Sequence, residues 1–108
     1  MAKSVKFEKL ERDGKVAVLY SPGYGAGWYT WNSEHEGLIF DKEIVEAVLA
    51  DDRTKAAEIA KRKYGDPYTG GADDLRVEWL DKGDQFEIDE YDGSESIHII
   101  GNHSYLTA

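Results

Sequence analysis

The chain has 108 residues, enough for one modest hydrophobic core, and the expectation is a single α+β domain spanning 1–108. Zero cysteines exclude disulfides, thiol catalysis and cysteine-based zinc sites, and no apolar run approaches the ~18 residues of a membrane span. A net charge of −9 is the reverse of the clustered Lys/Arg that a duplex phosphate surface requires, so direct nucleic-acid binding is not expected.

The charge is unevenly spread. Residues 1–40 carry five basic and five acidic side chains, residues 41–66 six and seven, and residues 73–96 two and ten. Two readings of this last block stand side by side. It is either a solvated face that keeps the protein soluble, or a surface that docks on a basic patch of another protein, as a DNA mimic does. Met1 to Lys15 alternates charged and apolar residues without the continuous apolar region of a signal peptide. A cytoplasmic location with no membrane partner is therefore expected, and the sequence leaves self-association into a homo-oligomer open.

In chain order, Ser4 to Leu10 alternates loosely and predicts a first strand, with Asp13-Gly14 as a hairpin turn. Val16 to Tyr20 is apolar on both faces, as suits a central strand covered on two sides. A loop with Gly23, Gly25 and Gly27 follows, then an aromatic exit of Trp28, Tyr29 and Trp31. Leu38-Ile39-Phe40 supplies three core side chains ahead of two helices, near 41–50 and 54–64. Asp41 is the expected N-cap of the first, with Ile44, Val45, Val48 and Leu49 as its apolar stripe. Asp51 and Asp52 end that helix and can begin the next, where Ala56, Ile59, Ala60 and Tyr64 share a face. Lys61, Arg62 and Lys63 suit the last turn of the second helix, and Gly65 and Pro67 stop it. Tyr68 to Ala72 forms a second glycine loop, a natural partner to the first.

The C-terminal part permits a register argument. A two-residue turn at Asp92-Gly93 sets Ile88 opposite Ile97 and Phe86 opposite Ile99. A second such turn at Lys82-Gly83 sets Trp79 opposite Phe86 and Val77 opposite Ile88. Both place the same apolar residues on one face. The expected fold is α+β, with an antiparallel sheet whose C-terminal three-stranded meander (75–80, 85–91, 94–100) packs against the two helices.

Three stretches, VAVLYSPGYGAGWYTWN, LIFDKEIVEAV and DEYDGSES, carry a resemblance. Together they resemble a group of small, mostly uncharacterised proteins encoded by phages and prophages, over about Val16 to Ile100. The resemblance implies a phage-type origin and no established chemistry, and it attaches no catalytic residue to any position.

The glycine loop is the leading candidate site. It is not a P-loop, because no GK[ST] follows, and it is not a dinucleotide fingerprint, because no helix or βαβ unit follows. Its backbone N–H groups can still cradle an anion. The candidate ligand-binding set is Gly23, Tyr24, Gly25, Gly27, Trp28, Thr30, Trp31 and Asn32: the glycines for close approach, the aromatics for stacking, Thr30 and Asn32 for hydrogen bonds. Alternatively the tryptophans are core and the glycines only shape a turn. An anionic ligand also needs local cations to offset the field of the whole chain, which Lys61, Arg62 and Lys63 are placed to supply.

On the polar face of the meander the register lines up Glu78, Glu87 and His98, with Asp89 opposite Ser96. Such a row can bind a divalent cation or do acid–base work, or simply be a solvated face. No HxH, HExxH or GxSxG spacing occurs, so no metal, cofactor or catalytic residue is expected. The function expected from the sequence is non-enzymatic counter-defence, by sequestering a small nucleotide-like or anionic host signal. The alternative is an inhibitor that binds a basic host-protein surface through Asp84, Glu87, Asp89 and Glu90.

Overall fold

Residue order dictates two small antiparallel sheets and three helices, an α+β architecture. The computed structural model describes residues 6–23, 27–30, 35–65, 69–91, 93–99 and 106–108. The first sheet has the order β1 (Glu11–Arg12), β2 (Lys15–Tyr20), β3 (Arg76–Asp81). The second has the order β5 (Ser94–Ile99), β4 (Gln85–Tyr91), β6 (Leu106–Thr107). Between β2 and β3 lie α1 (Gly37–Phe40), α2 (Lys42–Leu49), α3 (Arg53–Tyr64) and a 3₁₀ turn, Ala72–Asp74.

Local chemistry explains most elements. Asp13 (φ 52°) and Gly14 (φ 77°) both sit at positive φ, the geometry of a type I′ hairpin turn, and join β1 to β2. The strand before this turn is shorter than Ser4 to Leu10 would give: the paired residues are Glu11 and Arg12, while Lys9 bridges to Asp41 instead. Residues 4 and 5 lie outside the described ones. Val16 to Leu19 are buried on both faces, as a central strand requires.

The helices start where their caps say. The Asp41 carboxylate accepts from the Glu43 N–H at 3.0 Å and that of Asp52 from the Lys55 N–H at 3.1 Å. Gly65, in the left-handed region, closes α3. Ile44, Val45, Val48, Ala56, Ile59, Ala60 and Tyr64 are buried as their spacing predicts, but Leu49 is exposed. Leu38, Ile39 and Phe40 are fully buried, on a helical turn of their own.

The β4–β5 hairpin has the expected register, Ile88 opposite Ile97 and Phe86 opposite Ile99. The expected pairing of β3 with β4 does not occur. β3 pairs with β2 throughout, from Lys15↔Asp81 to Tyr20↔Arg76, and β4 takes β6 as its second neighbour. The turn at Lys82-Gly83 exists, closed by Asp84 N–H to the Asp81 carbonyl at 3.0 Å. Its own N–H groups bond elsewhere: Lys82 N–H to Gly14 and Gly83 N–H to Ala108. It is thus a corner between sheets, and Val77 and Trp79 are only half-buried on β3.

Candidate functional site

The glycine loop leaves β2 at Tyr20 and returns to the core at Trp28. Trp28 is fully buried, and its indole N–H donates to the Leu38 carbonyl at 2.7 Å. It fastens the loop to α1 and offers no face for an incoming ring, which corrects its assignment as a stacking platform. Losing that indole would remove both a hydrogen bond and one of the largest core volumes.

The loop is folded around Glu95. This side chain is 1% exposed. Its Oε1 accepts from Ser21 N–H at 2.9 Å; its Oε2 accepts from Trp28 N–H at 2.9 Å, Thr30 N–H at 2.8 Å and the Thr30 hydroxyl at 2.8 Å. Burying a carboxylate is costly unless such donors surround it. Glu95 also donates its own N–H to the Ser21 carbonyl at 2.8 Å, joining β5 to the end of β2. The loop's N–H groups at Ser21, Trp28 and Thr30 therefore already hold an anion, one supplied by the chain itself. Thr30 is accordingly bound to Glu95 through both its hydroxyl and its N–H.

The two glycine loops meet, as their composition suggests. The Ser21 hydroxyl donates to the Gly71 carbonyl at 2.9 Å. A Cβ on Gly71 would lie 2.6 Å from the Gly27 carbonyl oxygen, so the loops pack backbone on backbone. Gly27 is thereby buried. Tyr24, Gly25, Trp31 and Asn32 lie outside the described residues.

Of the described ligand-binding candidates, Gly23 borders an open hollow. The hollow measures about 330 Å³ and lies between the start of the loop, α3 and the 3₁₀ turn; its wall includes Tyr20, Gly23, Arg53, Asp73, Asp74 and Arg76. Arg53 is held in place, its Nε–H donating to the Leu75 carbonyl at 3.0 Å and its Nη1 pairing with Asp51. Asp74 packs so tightly on Gly23 that any side chain there would collide with it. Among the described residues, no side-chain hydrogen bond or ion pair engages Arg76, Asp73 or Asp74.

The cations expected at the loop are elsewhere. Arg62 pairs with Glu43 at 2.9 Å, and Lys63 with Asp41 at 3.0 Å and Glu43 at 3.5 Å, tying the end of α3 to the start of α2. The Tyr64 hydroxyl donates to the same buried Asp41 at 2.8 Å. Burial and the Asp41 and Glu43 charges raise the Tyr64 pKa well above the usual tyrosine value. For Lys63, desolvation pulls downward, but hydrogen bonds and charge from Asp41 and Glu43 outweigh it and raise the pKa.

The polar row is split by the two-sheet topology. Glu78 stands opposite Val18 in the first sheet, while Glu87 stands opposite His98 in the second. His98 Nε2 lies 3.2 Å from Asp89 and 3.1 Å from the Ser96 hydroxyl. Both contacts use one ring nitrogen, whereas a catalytic relay needs the two nitrogens to face different partners. Among the described residues, no group of three His, Cys, Asp or Glu could hold a metal.

The four partner-binding candidates do not form one face. Glu87 and Asp89 alternate onto the outer side of β4, Glu90 points to the other side and accepts from Gly93 N–H at 2.6 Å, and Asp84 sits in the corner turn.

Three residues of the site, Glu95, Arg53 and Arg76, are not marked by any motif. Glu95 had a signal: in the β4–β5 register it falls on the side of Phe86, Ile88, Ile97 and Ile99, where it and its partner Glu90 are carboxylates on an otherwise apolar face. Arg53 and Arg76 had none, since no motif links the first turn of α3 to the first residue of β3. Comparison with family models, curated proteins and solved structures finds no match. No helix among the described residues is long and apolar enough to cross a membrane.

Proposed function

We propose that this protein is a non-catalytic binding protein that captures a small anionic, nucleotide-like molecule in the hollow beside Gly23. The observation that carries the reading is the pair of guanidiniums, Arg53 and Arg76, on the wall of a 330 Å³ hollow. Guanidinium is suited to phosphate and carboxylate recognition, and the hollow is within the about 300–1,000 Å³ of ordinary small-molecule sites. Half-buried Tyr20 adds an aromatic ring to the wall. The loop glycines serve this site indirectly, by letting the backbone close tightly on Glu95 and on the second loop. Given the phage-type resemblance, the role assigned is counter-defence in the host cytoplasm: removal of a signal by holding it intact.

The test is to incubate the protein with nucleotides, cyclic dinucleotides and ADP-ribose derivatives, isolate the complex and weigh the released ligand. Recovery of an unchanged molecule from the wild type, and its loss in Arg53→Gln/Arg76→Gln, is the expected result. A ligand of altered mass would make the protein an enzyme, and binding indifferent to both arginines would remove this site.

One observation favours the second reading, an inhibitor of a host protein. Tyr91, 75% exposed, shares the outer side of β4 with Glu87 and Asp89. Aromatic residues ringed by charge are frequent anchors of interfaces. Partner binding through this face should weaken steeply with salt and vanish in Glu87→Lys/Asp89→Lys with an unchanged thermal midpoint. Salt-independent association would exclude it.

A further inference from the structure

The hollow beside Gly23 has charges of both signs that do not neutralise one another. Arg53 and Arg76 line it together with Asp73 and Asp74, yet among the described residues Arg53 pairs with Asp51 and the other three carry no ion pair. An exposed ion pair contributes little, so leaving these charges open to a ligand costs the fold little. Here they are held apart. Arg53 is tethered through Nε to the Leu75 carbonyl, and the Asp74 side chain is seated on Gly23. Asp73 and Asp74 are placed by the 3₁₀ turn, and Arg76 by the strand pairing that sets it opposite Tyr20.

A purely anionic ligand would be attracted by two of these groups and repelled by two. One that meets all four carries an anionic group at one end and hydrogen-bond donors at the other. Carboxylates bind vicinal hydroxyls well, because two adjacent O–H groups can donate to one or both carboxylates. The ammonium and carboxylate of an amino acid sit on one carbon atom, whereas a hollow of about 330 Å³ admits a larger ligand. A ribose phosphate has the reach. Its phosphate meets Arg53 and Arg76, its diol meets Asp73 and Asp74, and an attached base has the Tyr20 ring available to stack on.

Building on the binding reading above, we infer that the hollow is a site for a single ribose 5′-phosphate unit with a free 2′,3′-diol, that is, a 5′-mononucleotide. A 3′,5′-linked cyclic dinucleotide lacks such a diol and brings a second phosphate toward Asp73 and Asp74.

Calorimetric titration of the full chain with ribose 5-phosphate, AMP, 2′-deoxy-AMP, 3′,5′-cyclic AMP and inorganic phosphate tests this. Ribose 5-phosphate and AMP should bind one to one. The deoxy and cyclic compounds should bind about tenfold or more weakly, since each loses a hydrogen bond to a charged acceptor. Asp73→Asn/Asp74→Asn should weaken ribose 5-phosphate by a similar factor without weakening inorganic phosphate. The ligand series decides the matter even if that variant fails to fold. Equal binding of AMP and its deoxy or cyclic form, abolished by Arg76→Gln, would overturn the diol assignment and keep the anion site. No binding by ribose 5-phosphate or AMP would overturn the assignment of a ribose phosphate, and the anion reading would then rest on the wider ligand set alone. Binding of any of them that ignores Arg53→Gln/Arg76→Gln would overturn both.

Discussion

The two sides of the glycine loop treat polar groups in opposite ways. On the inner side donors are turned onto internal partners: the N–H groups of Ser21, Trp28 and Thr30 converge on Glu95, and the Trp28 indole reaches Leu38. On the outer side, Arg76, Asp73 and Asp74 border a hollow with no ion pair among the described residues. A buried polar group without a partner is costly, whereas an exposed one can be satisfied by water and kept for something else. The inner side is therefore the support and the outer side the surface on which selection for binding can act. Substitutions on the two sides should separate stability from affinity.

The largest expected effect is at Glu95. Replacing it by alanine strands three backbone N–H groups and a hydroxyl, at ~1–3 kcal/mol each. That total is comparable with the whole stability of a small domain, about 5–15 kcal/mol. Glu95→Ala should fail to fold, while Glu95→Gln, which keeps the shape and one acceptor oxygen, should lose ~2–3 kcal/mol in urea denaturation. Wild-type stability in Glu95→Gln would show that the inner side is not held by this carboxylate.

A smaller effect is expected at the distant α2–α3 junction, as a control that should touch neither side. Tyr64 and Lys63 both have folded-state pKa values raised above their unfolded ones. Groups of this kind contribute stability in full below the unfolded pKa, about 10 for both. The contribution disappears as pH rises from there through the folded pKa, because the unfolded chain then releases the proton first. The urea midpoint should thus fall above about pH 10, and less steeply in Tyr64→Phe. A midpoint unchanged up to pH 12 would contradict the Asp41 network.

The elements legible in the sequence are those fixed by neighbours in the chain. Asp41 and Asp52 cap the helices that follow them, and the two-residue link between the paired Tyr91 and Ser94 sets Ile88 against Ile97, because each signal lies within a few residues of its effect. The turn at Lys82-Gly83 was equally local, yet it did not determine which strand β3 would pair with. That choice was made by β2, whose two hydrogen-bonding edges take β1 and β3 and so leave β4 to pair with β5 and β6. The site was harder still. Glu95 meets Ser21 across 74 positions, so its role follows only from noticing a carboxylate out of place on an apolar face. Trp28 illustrates the converse: an aromatic beside glycines reads as a platform, but burial turns it into a bolt between loop and helix.

The smallest effect, and the one that separates the two sides most cleanly, concerns two glycines. Gly71 has a φ of −85°, acceptable to alanine, so only contact opposes a side chain there. Its added Cβ would lie 2.6 Å from the Gly27 carbonyl oxygen and 3.0 Å from the Ser21 hydroxyl. The first of these is backbone and has no rotamer to escape into, so Gly71→Ala should cost ~1–3 kcal/mol, the usual range for overpacking. At Gly23 the added Cβ would meet the Asp74 carboxylate, which can rotate toward water, but also the Asp74 Cβ at 2.8 Å, which moves only with the short 3₁₀ turn that carries it. Gly23→Ala should therefore cost about 1 kcal/mol in denaturant, the low end of the overpacking range, because an exposed turn gives more readily than packed backbone. It should nevertheless weaken ribose 5-phosphate about tenfold, because the rotation carries a carboxylate away from the hollow. Affinity lost at Gly23 with most stability kept, and stability lost at Gly71, would assign the outer side to binding. If Gly23→Ala binds as the wild type does, Asp74 is a packing residue and the ligand contacts lie with the arginines alone.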